Sequence, residues 1–256
     1  VLMFCVVKLK SIRFVLLVLL CAVLLAISFN GVSSAQVFFG YNAKLVPVYS
    51  VETENKQVAI SFDAAWGADK TQGIMDILDE YDAGATFFLV GFWVDKYQDI
   101  VKEIDERGFE IGTHSNTHPD MTKLSADAME KELSACVEMI ENITNKKVEL
   151  FRPPYGAYND TLINVSAKLN LIPIQWSVDS LDWKGLSAKE ITTRIINNVK
   201  NGSIILCHNN SDHILDALPM VLDRLTGQGY TVTSVGDLVY RDNYEIDRQG
   251  VQKLKN

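Results

Sequence analysis

Cysteine is scarce in this sequence of 256 residues, which has only four copies. Cys5 and Cys21 lie in an apolar N-terminal segment, so that only Cys136 and Cys207 remain for the rest of the chain. Their spacing is not typical of a disulfide framework. A domain without disulfides depends on its hydrophobic core, and the roughly 200 residues available are enough to form one.

Positive charge is also in short supply. Lys and Arg number 24 against 32 Asp and Glu, so the formal net charge is −8. A nucleic-acid-binding domain usually has a basic face, and we therefore expect no nucleic-acid partner. The sequence also lacks a G-x-G-x-x-G or G-x-x-x-x-G-K-[ST] motif after any predicted strand. A nucleotide-binding function is therefore without its usual support.

The N-terminal segment has the pattern of an export signal. Lys8, Lys10 and Arg13 precede an uncharged apolar run at 14–29, and small residues follow before Gln36. This pattern predicts that residues 1–35 are a signal peptide or an N-terminal membrane anchor. The run is shorter than the ~20 apolar residues of a typical membrane span, and both interpretations stay open. Either one predicts a secreted or cell-surface protein whose only contact with the membrane is this segment.

From residue 57 onward, strand-like and helix-like segments alternate. Such alternation predicts βαβ units and an α/β fold with a parallel sheet. About seven repeats favour a (β/α) barrel of about seven parallel strands with surrounding helices, and a doubly wound open sheet is the alternative. We predict a linker at 36–55, the domain at 56–240 and a charged, frayed tail at 241–256. The predicted strands are 57–63, 85–90, 109–114, 149–152, 172–178, 203–208 and 231–235, and the predicted helices are 70–81, 93–107, 125–143, 161–169, 187–199 and 214–225.

Polar residues with catalytic potential stand at the ends of five predicted strands. They are Asp63, His114, Arg152, Asp179 and His208, in a chain with only four histidines. The carboxyl ends of the strands form the active-site face of a parallel barrel. We therefore predict that these five side chains converge on one catalytic site.

A second histidine, His118, follows His114 by four residues. Pro119 argues against a helix here and favours an extended conformation at His118. The pair is therefore predicted to lie on a strand-to-loop turn. Imidazole pairs suit zinc, although a catalytic zinc normally has three protein ligands and one open position.

Five short motifs carry a resemblance to a known family. The sequence resembles polysaccharide deacetylases with the NodB homology domain (carbohydrate esterase family four), most closely the sporulation-associated subgroup of Firmicutes. The resemblance covers about residues 55–240 and implies a distorted (β/α) barrel. It implies a metal-dependent hydrolase that removes N-acetyl groups from a cell-wall polysaccharide, at the N-acetylglucosamine or N-acetylmuramic acid of peptidoglycan. The motifs are Ser61-Phe62-Asp63, His114-Ser115-Asn116-Thr117-His118, Arg152-Pro153-Pro154-Tyr155-Gly156, Asp179-Ser180-Leu181-Asp182-Trp183 and Leu206-Cys207-His208.

The resemblance also implies roles for the strand-end residues. Asp63 would be the general base, paired with Arg152. His208 would be the general acid for the leaving amine, oriented by Asp179. These roles agree with the chemistry of the residues, because a carboxylate beside Arg stays ionised and a His beside Asp holds its proton.

Further roles concern the metal and the acetyl group. The resemblance implies a divalent metal, zinc or cobalt, bound by His114 and His118. The backbone N–H of Tyr155 would stabilise the oxyanion. Leu206 and Trp183 would line the pocket for the acetyl group.

One position departs from the family pattern. The family has a second acid after Asp63 that completes the metal site, and this chain has Ala64. Three hypotheses follow: a weaker site formed by two His and waters, replacement of the acid by Asp69, or a non-catalytic glycan-binding or regulatory protein. We favour a retained N-deacetylase activity on peptidoglycan, and O-deacetylation of another polymer is a further alternative.

Overall fold

Short parallel strands form the centre of the folded part of the chain. The computed structural model describes residues 16–20 and 44–255. Residues 16–20 are helical, and the remaining part of the predicted signal peptide or anchor lies outside the described residues. Among the described residues, no helix combines the length and the apolar character that crossing a membrane requires.

The main sheet has the strand order β6-β5-β4-β3-β2-β8-β7, and β9 pairs with the start of β2. All pairings in this sheet are parallel. The sheet curls into a half-barrel surrounded by helices, which confirms the predicted distorted (β/α) barrel. Its strands are β2 (Gln57–Ala64), β3 (Thr86–Leu89), β4 (Glu110–Thr113), β5 (Leu150–Phe151), β6 (Ile172–Pro173), β7 (Val178–Asp179), β8 (Ile204–His208) and β9 (Thr231–Thr233).

The central strand β2 is buried on both faces. Alternate residues contact different surroundings because side chains on a strand point to opposite faces. Val58, Ile60 and Phe62 join the apolar cluster between sheet and helices, whereas Ala59 joins the smaller cluster on the other face. This alternation places Asp63, at the end of the strand, on the same face as Ala59.

The helices lie close to their predicted positions, with one exception. The helix predicted at 93–107 is two helices, because Tyr97 interrupts it with φ −124° and ψ 44°. The α-helices are Thr71–Glu80, Gly91–Lys96, Gln98–Glu106, Ala126–Thr144, Asp160–Lys168, Ala188–Asn198, Ile214–Gly227 and Val235–Leu238.

The single strand predicted at 172–178 is wrong, because the chain there forms two strands at opposite edges of the sheet. β6 pairs with β5, and β7 pairs with β8. Between them the hydrogen-bond partner changes: the Gln175 N–H donates to the Val48 carbonyl, and the Ser177 N–H donates to the Ile204 carbonyl. The apolar pattern of 172–178 reflects burial, but it does not show that the chain crosses from one edge to the other.

The prediction of a frayed tail is also wrong. β10 (Tyr244–Ile246) and β11 (Val251–Leu254) pair antiparallel, and β11 pairs in parallel with β1 (Ser50–Val51). Val48 and Val51, within the predicted linker, are buried. The segment from residue 44 and the C-terminal strands are therefore part of the folded domain.

Candidate active site

The carboxyl ends of the strands surround a cavity of about 610 Å³. Asp63 and His208 are direct partners in the pairing of β2 with β8. His114 and Arg152 follow β4 and β5, which are neighbours in the sheet. The structure therefore brings together four of the five strand-end residues as predicted. The fifth, Asp179, also lines the cavity, but its carboxylate forms its hydrogen bond within its own turn, with the Leu181 N–H.

Asp63 forms a buried ion pair with Arg152. Arg152 Nη1 donates to Asp63 Oδ1 at 2.7 Å, and Nη2 donates to the Gln175 carbonyl at 3.2 Å. Burial alone raises the pKa of the Asp63 carboxyl, but the charge and the hydrogen bond of Arg152, together with the nearby His114 and His208, outweigh it and hold the pKa below its usual value. Asp63 is therefore ionised at neutral pH and able to accept a proton.

The two histidines of the HSNTH segment face each other, with ring centroids 4.9 Å apart. His114 Nδ1 lies 2.7 Å from the Arg152 carbonyl, which requires that Nδ1 carry the hydrogen. Its Nε2 then has a free lone pair, 3.4 Å from Asp63 Oδ2. Burial lowers the pKa of His114, and burial lowers the pKa of His118 to about 4. Both imidazoles are therefore neutral, which is the form that binds metals.

The backbone of the segment differs from the prediction. His118 has a φ of 58° and is left-handed, so the extended conformation that Pro119 favours is absent. Ser115 is also left-handed, with a φ of 68°. The local preference before proline is overridden by tertiary contacts that turn the loop back toward His114.

The residues present provide part of a metal site. The buried Nδ1 of His118 has no hydrogen-bond partner in the part of the chain that the structure describes, so no protein group engages it. Two neutral imidazoles beside a carboxylate fit zinc or cobalt, which accept nitrogen and oxygen ligands. Residues 16–20 and 44–255 contain no cluster of three or more acid, His or Cys side chains arranged around one ion. Ala64 is buried in the cluster between sheet and helices, and Asp69 is exposed and does not line the cavity. The hypothesis that Asp69 replaces the missing acid therefore has no support from its position.

His208 is oriented by Asp182, which the sequence analysis did not assign. Asp182 Oδ1 lies 2.7 Å from His208 Nδ1, and Oδ2 accepts the His208 backbone N–H at 2.8 Å. Asp179 instead accepts the Leu181 N–H at 2.9 Å. The assignment of Asp179 is therefore corrected to Asp182. The two acids stand in one motif, and the left-handed Leu181 (φ 53°) between them turns the second acid into the site.

The Asp182 contact also sets the charge of His208. Burial lowers the pKa of His208, but the hydrogen bond and charge of Asp182, helped by Asp63 and Asp179, outweigh it and raise the pKa above its usual value. A raised pKa favours the protonated imidazole, so His208 holds its proton to a higher pH than an unperturbed His does. The site thus combines, on adjacent strands, a carboxylate whose pKa is lowered and an imidazole whose pKa is raised.

The rim of the cavity is aromatic. Trp66, Tyr155 and Trp183 line it and are 62%, 69% and 59% exposed. The rings of Trp66 and Tyr155 both pack against His118, with centroid distances of 5.2 and 4.7 Å. Leu206 lines the cavity and is buried, as expected for an apolar wall.

The turn at Tyr155 has an unusual backbone. Tyr155 and Gly156 both have positive φ, 60° and 65°. The side chain of Gln175 donates to the Gly156 carbonyl at 2.8 Å and holds this turn against the crossing segment. Gln175 was not predicted as a site residue, because an isolated glutamine in an apolar segment carries no distinctive signal.

The comparisons with known proteins identify the family. Residues 50–174 match the family model described as polysaccharide deacetylase. The chain belongs to the polysaccharide deacetylase family, in which relatives carry the names of deacetylases, hydrolases that act on carbon–nitrogen bonds. The family and the enzyme class expected from the sequence are confirmed.

The relatives of this chain carry different names. The chain is 32% identical over 195 residues to a peptidoglycan-N-acetylglucosamine deacetylase of Bacillus cereus, covering 75% of this chain and 71% of that one. It is 31% identical to the uncharacterized protein YlxY of Bacillus subtilis, of which it spans 60%, less than two thirds. Among solved structures, it is similar to BA3943 of Bacillus anthracis, described as a pseudoenzyme of carbohydrate esterase family four. That similarity has a TM-score of 0.73 and 34% identity, and covers 75% of this chain and 68% of the other.

Proposed function

We propose that this chain removes N-acetyl groups from peptidoglycan with the help of a divalent ion held by His114 and His118. The observation that carries the proposal is that Asp63, whose pKa is lowered, and His208, whose pKa is raised, face each other on the adjacent strands β2 and β8. Amide hydrolysis needs a base for water and an acid for the leaving nitrogen. Two groups whose environments push their pKa values apart supply these two functions.

The protein residues account for the proton transfers. Asp63 accepts a proton from water as the water oxygen bonds to the acetyl carbonyl carbon. The carbon–nitrogen bond then breaks, and His208 gives its proton to the leaving amine. The products are acetate and a free amino sugar. Arg152 keeps Asp63 ionised before the reaction, and Asp182 keeps His208 protonated and oriented.

The ion and the turn at Tyr155 would stabilise the charge on oxygen. When bound, a divalent ion such as zinc or cobalt would lower the pKa of water from about 15.7 to about 7 and polarise the carbonyl. The backbone N–H of Tyr155 is proposed as a further donor to the oxyanion. His114 and His118 would hold the ion, with water completing the site where the family has an acid and this chain has Ala64.

The substrate is proposed from two observations and the location from a third. Relatives that are 32% and 33% identical are named peptidoglycan N-acetylglucosamine and N-acetylmuramic acid deacetylases. The exposed rings of Trp66, Tyr155 and Trp183 offer flat faces for sugar rings at the rim of the cavity. The basic and apolar pattern of residues 1–35 supports action outside the cytoplasmic membrane.

The test is acetate release by the purified chain from N-acetylglucosamine oligomers and from peptidoglycan, with zinc, cobalt or a chelator. We expect release that needs a metal and is lost in Asp63→Asn and His118→Ala. Asp69→Ala is the matched control, because Asp69 is an exposed acid near the site that does not line the cavity. It should keep both activity and metal affinity.

The competing hypothesis is a glycan-binding protein without catalysis. Ala64 motivates it, as does the similarity to BA3943, a described pseudoenzyme. Retained glycan binding without acetate release under any metal would refute the deacetylase proposal and favour this one.

A further inference from the structure

The loop that carries the two histidines is held in an unfavourable backbone conformation. Ser115 and His118 are both left-handed, with φ of 68° and 58°, and neither is glycine. A left-handed conformation is costly for residues with a β-carbon. His118 is restricted further because Pro119 follows it. Such a conformation persists only where the surroundings determine it.

Backbone contacts hold one side of the loop. The Gly91 N–H donates to the Ser115 carbonyl at 3.0 Å, and the Phe92 N–H donates to the Asn116 carbonyl at 3.2 Å. A β-carbon at Gly91 would collide with the Asn116 side chain. Within the loop, the His118 N–H donates to Ser115 Oγ at 3.0 Å. These contacts satisfy carbonyl groups of the loop, but the N–H groups at its tip need other partners.

A single carboxylate supplies those partners. Glu132, on the helix Ala126–Thr144, accepts the N–H groups of Asn116 and Thr117 with Oε2, at 3.0 and 2.8 Å. Its Oε1 accepts the Thr117 hydroxyl at 2.7 Å. Hydrogen bonds to an ionised acceptor are about twice as strong as neutral ones. Three of them converge on the two residues directly before His118.

We infer that Glu132 is a positioning residue that holds the His118 imidazole toward His114 and so sets the affinity of the site for a divalent ion. The inference rests on the proposed function only in taking this histidine pair as the ion site. Glu132 itself does not line the cavity. It acts through the loop, as groups that orient metal ligands from behind commonly do.

The chemistry of the three contacts predicts which substitutions preserve the loop. Glu132→Gln keeps one oxygen for the two N–H groups, and its amide can donate to the Thr117 hydroxyl oxygen after that hydroxyl rotates. Glu132→Met keeps a similar volume but provides no comparable acceptor. We therefore expect the conformation of the loop to depend on whether the side chain at position 132 can hydrogen-bond with it, and not on the charge of that side chain alone.

The experiment is a calorimetric titration of the full chain with zinc, with its thermal unfolding measured in chelator. We expect Glu132→Met to raise the zinc Kd by about 10–100-fold, as loss of an orienting partner does at other metal sites. Glu132→Gln should bind zinc nearly as the wild type does. Glu130→Ala is the matched control, because Glu130 is an exposed acid on the same helix.

A second measurement does not depend on metal or activity. In the zinc-free protein, amide hydrogen exchange at Asn116 and Thr117 should accelerate in Glu132→Met and remain unchanged in Glu130→Ala. Wild-type zinc affinity in a folded Glu132→Met protein would overturn the inference, and so would a wild-type chain that binds neither zinc nor cobalt. A chain that binds zinc as expected but releases no acetate would refute the proposed function and leave this inference standing.

Discussion

Replacing Asp182 by Asn tests the assignment of the acid half of the site. Asp182 is buried, and both of its oxygens contact His208, one at the ring Nδ1 and one at the backbone N–H. Asn offers one oxygen for these two donors, and its amide group faces the other donor. The substitution therefore removes the negative charge and breaks at least one of the two contacts, while the side-chain volume stays the same.

The structure gives the expected size and sign of the effect. A positioned general acid contributes about 10²–10⁴-fold to the rate, and we expect kcat at neutral pH to fall within that range. Burial lowers the pKa of His208, and Asp182 is the main reason that it is nevertheless raised. His208 donates its proton, so it is active below its pKa. Without Asp182 the alkaline limb of the pH–rate profile should therefore move to lower pH.

The assay is acetate release across a pH series for the wild type and two variants. Asp179→Asn is the comparison, because the Asp179 carboxylate accepts the Leu181 N–H in its own turn and contributes to the pKa of His208 through charge alone. It should shift the alkaline limb less and lower kcat by less than about tenfold. A larger loss in Asp179→Asn, or an alkaline limb that Asp182→Asn leaves in place, would refute the reasoning. Thermal unfolding of both variants checks that the domain remains folded.

Two further predictions concern other parts of the site. Gln175→Glu is isosteric but replaces the donor to the Gly156 carbonyl by an acceptor. We expect kcat to fall about 10–100-fold with a smaller change in KM, because the turn at Tyr155 matters most when the oxyanion forms. An unchanged kcat would contradict this prediction. Burial beside His114 lowers the pKa of His118 to about 4, so the stability that its neutral imidazole contributes is present above about pH 6.5 and is lost as the pH falls toward 4. Denaturant unfolding at pH 7 and at pH 4.5 should show that acidification lowers the free energy of unfolding less in His118→Gln than in the wild type. Equal losses of free energy in the two proteins would contradict the lowered pKa of His118.

Much of the architecture was predictable because its signals are local. The strand β2 and the helix Ala126–Thr144 follow from long apolar patterns, and the structure has them within a residue or two of prediction. Convergence of Asp63, His114 and His208 followed from a general property of parallel sheets, whose strands end at the same rim. No distance information was needed for that inference.

The errors arose where a tertiary contact decides between local alternatives. Asp179 and Asp182 are equivalent as residue types, and only the left-handed turn at Leu181 selects the second as the partner of His208. Similarly, Pro119 favours an extended His118, but Glu132 and the backbone N–H groups of Gly91 and Phe92 hold the loop in another form. A local preference of one or two kcal/mol is easily reversed by several such hydrogen bonds.

Arg152 shows that the role of a backbone group could not be predicted from residue type. Its guanidinium pairs with Asp63, and this contact was predicted from residue type. Its carbonyl, a group that every residue has, fixes the hydrogen of His114 on Nδ1 and leaves Nε2 free. That carbonyl is placed by the pairing of β5 with β4, in which the Arg152 N–H donates to the Thr113 carbonyl at 2.9 Å. The register of the sheet thus determines both the ionisation of the base and the tautomer of the proposed metal ligand. A shift of β5 by one residue would exchange the faces of its side chains and remove both effects together.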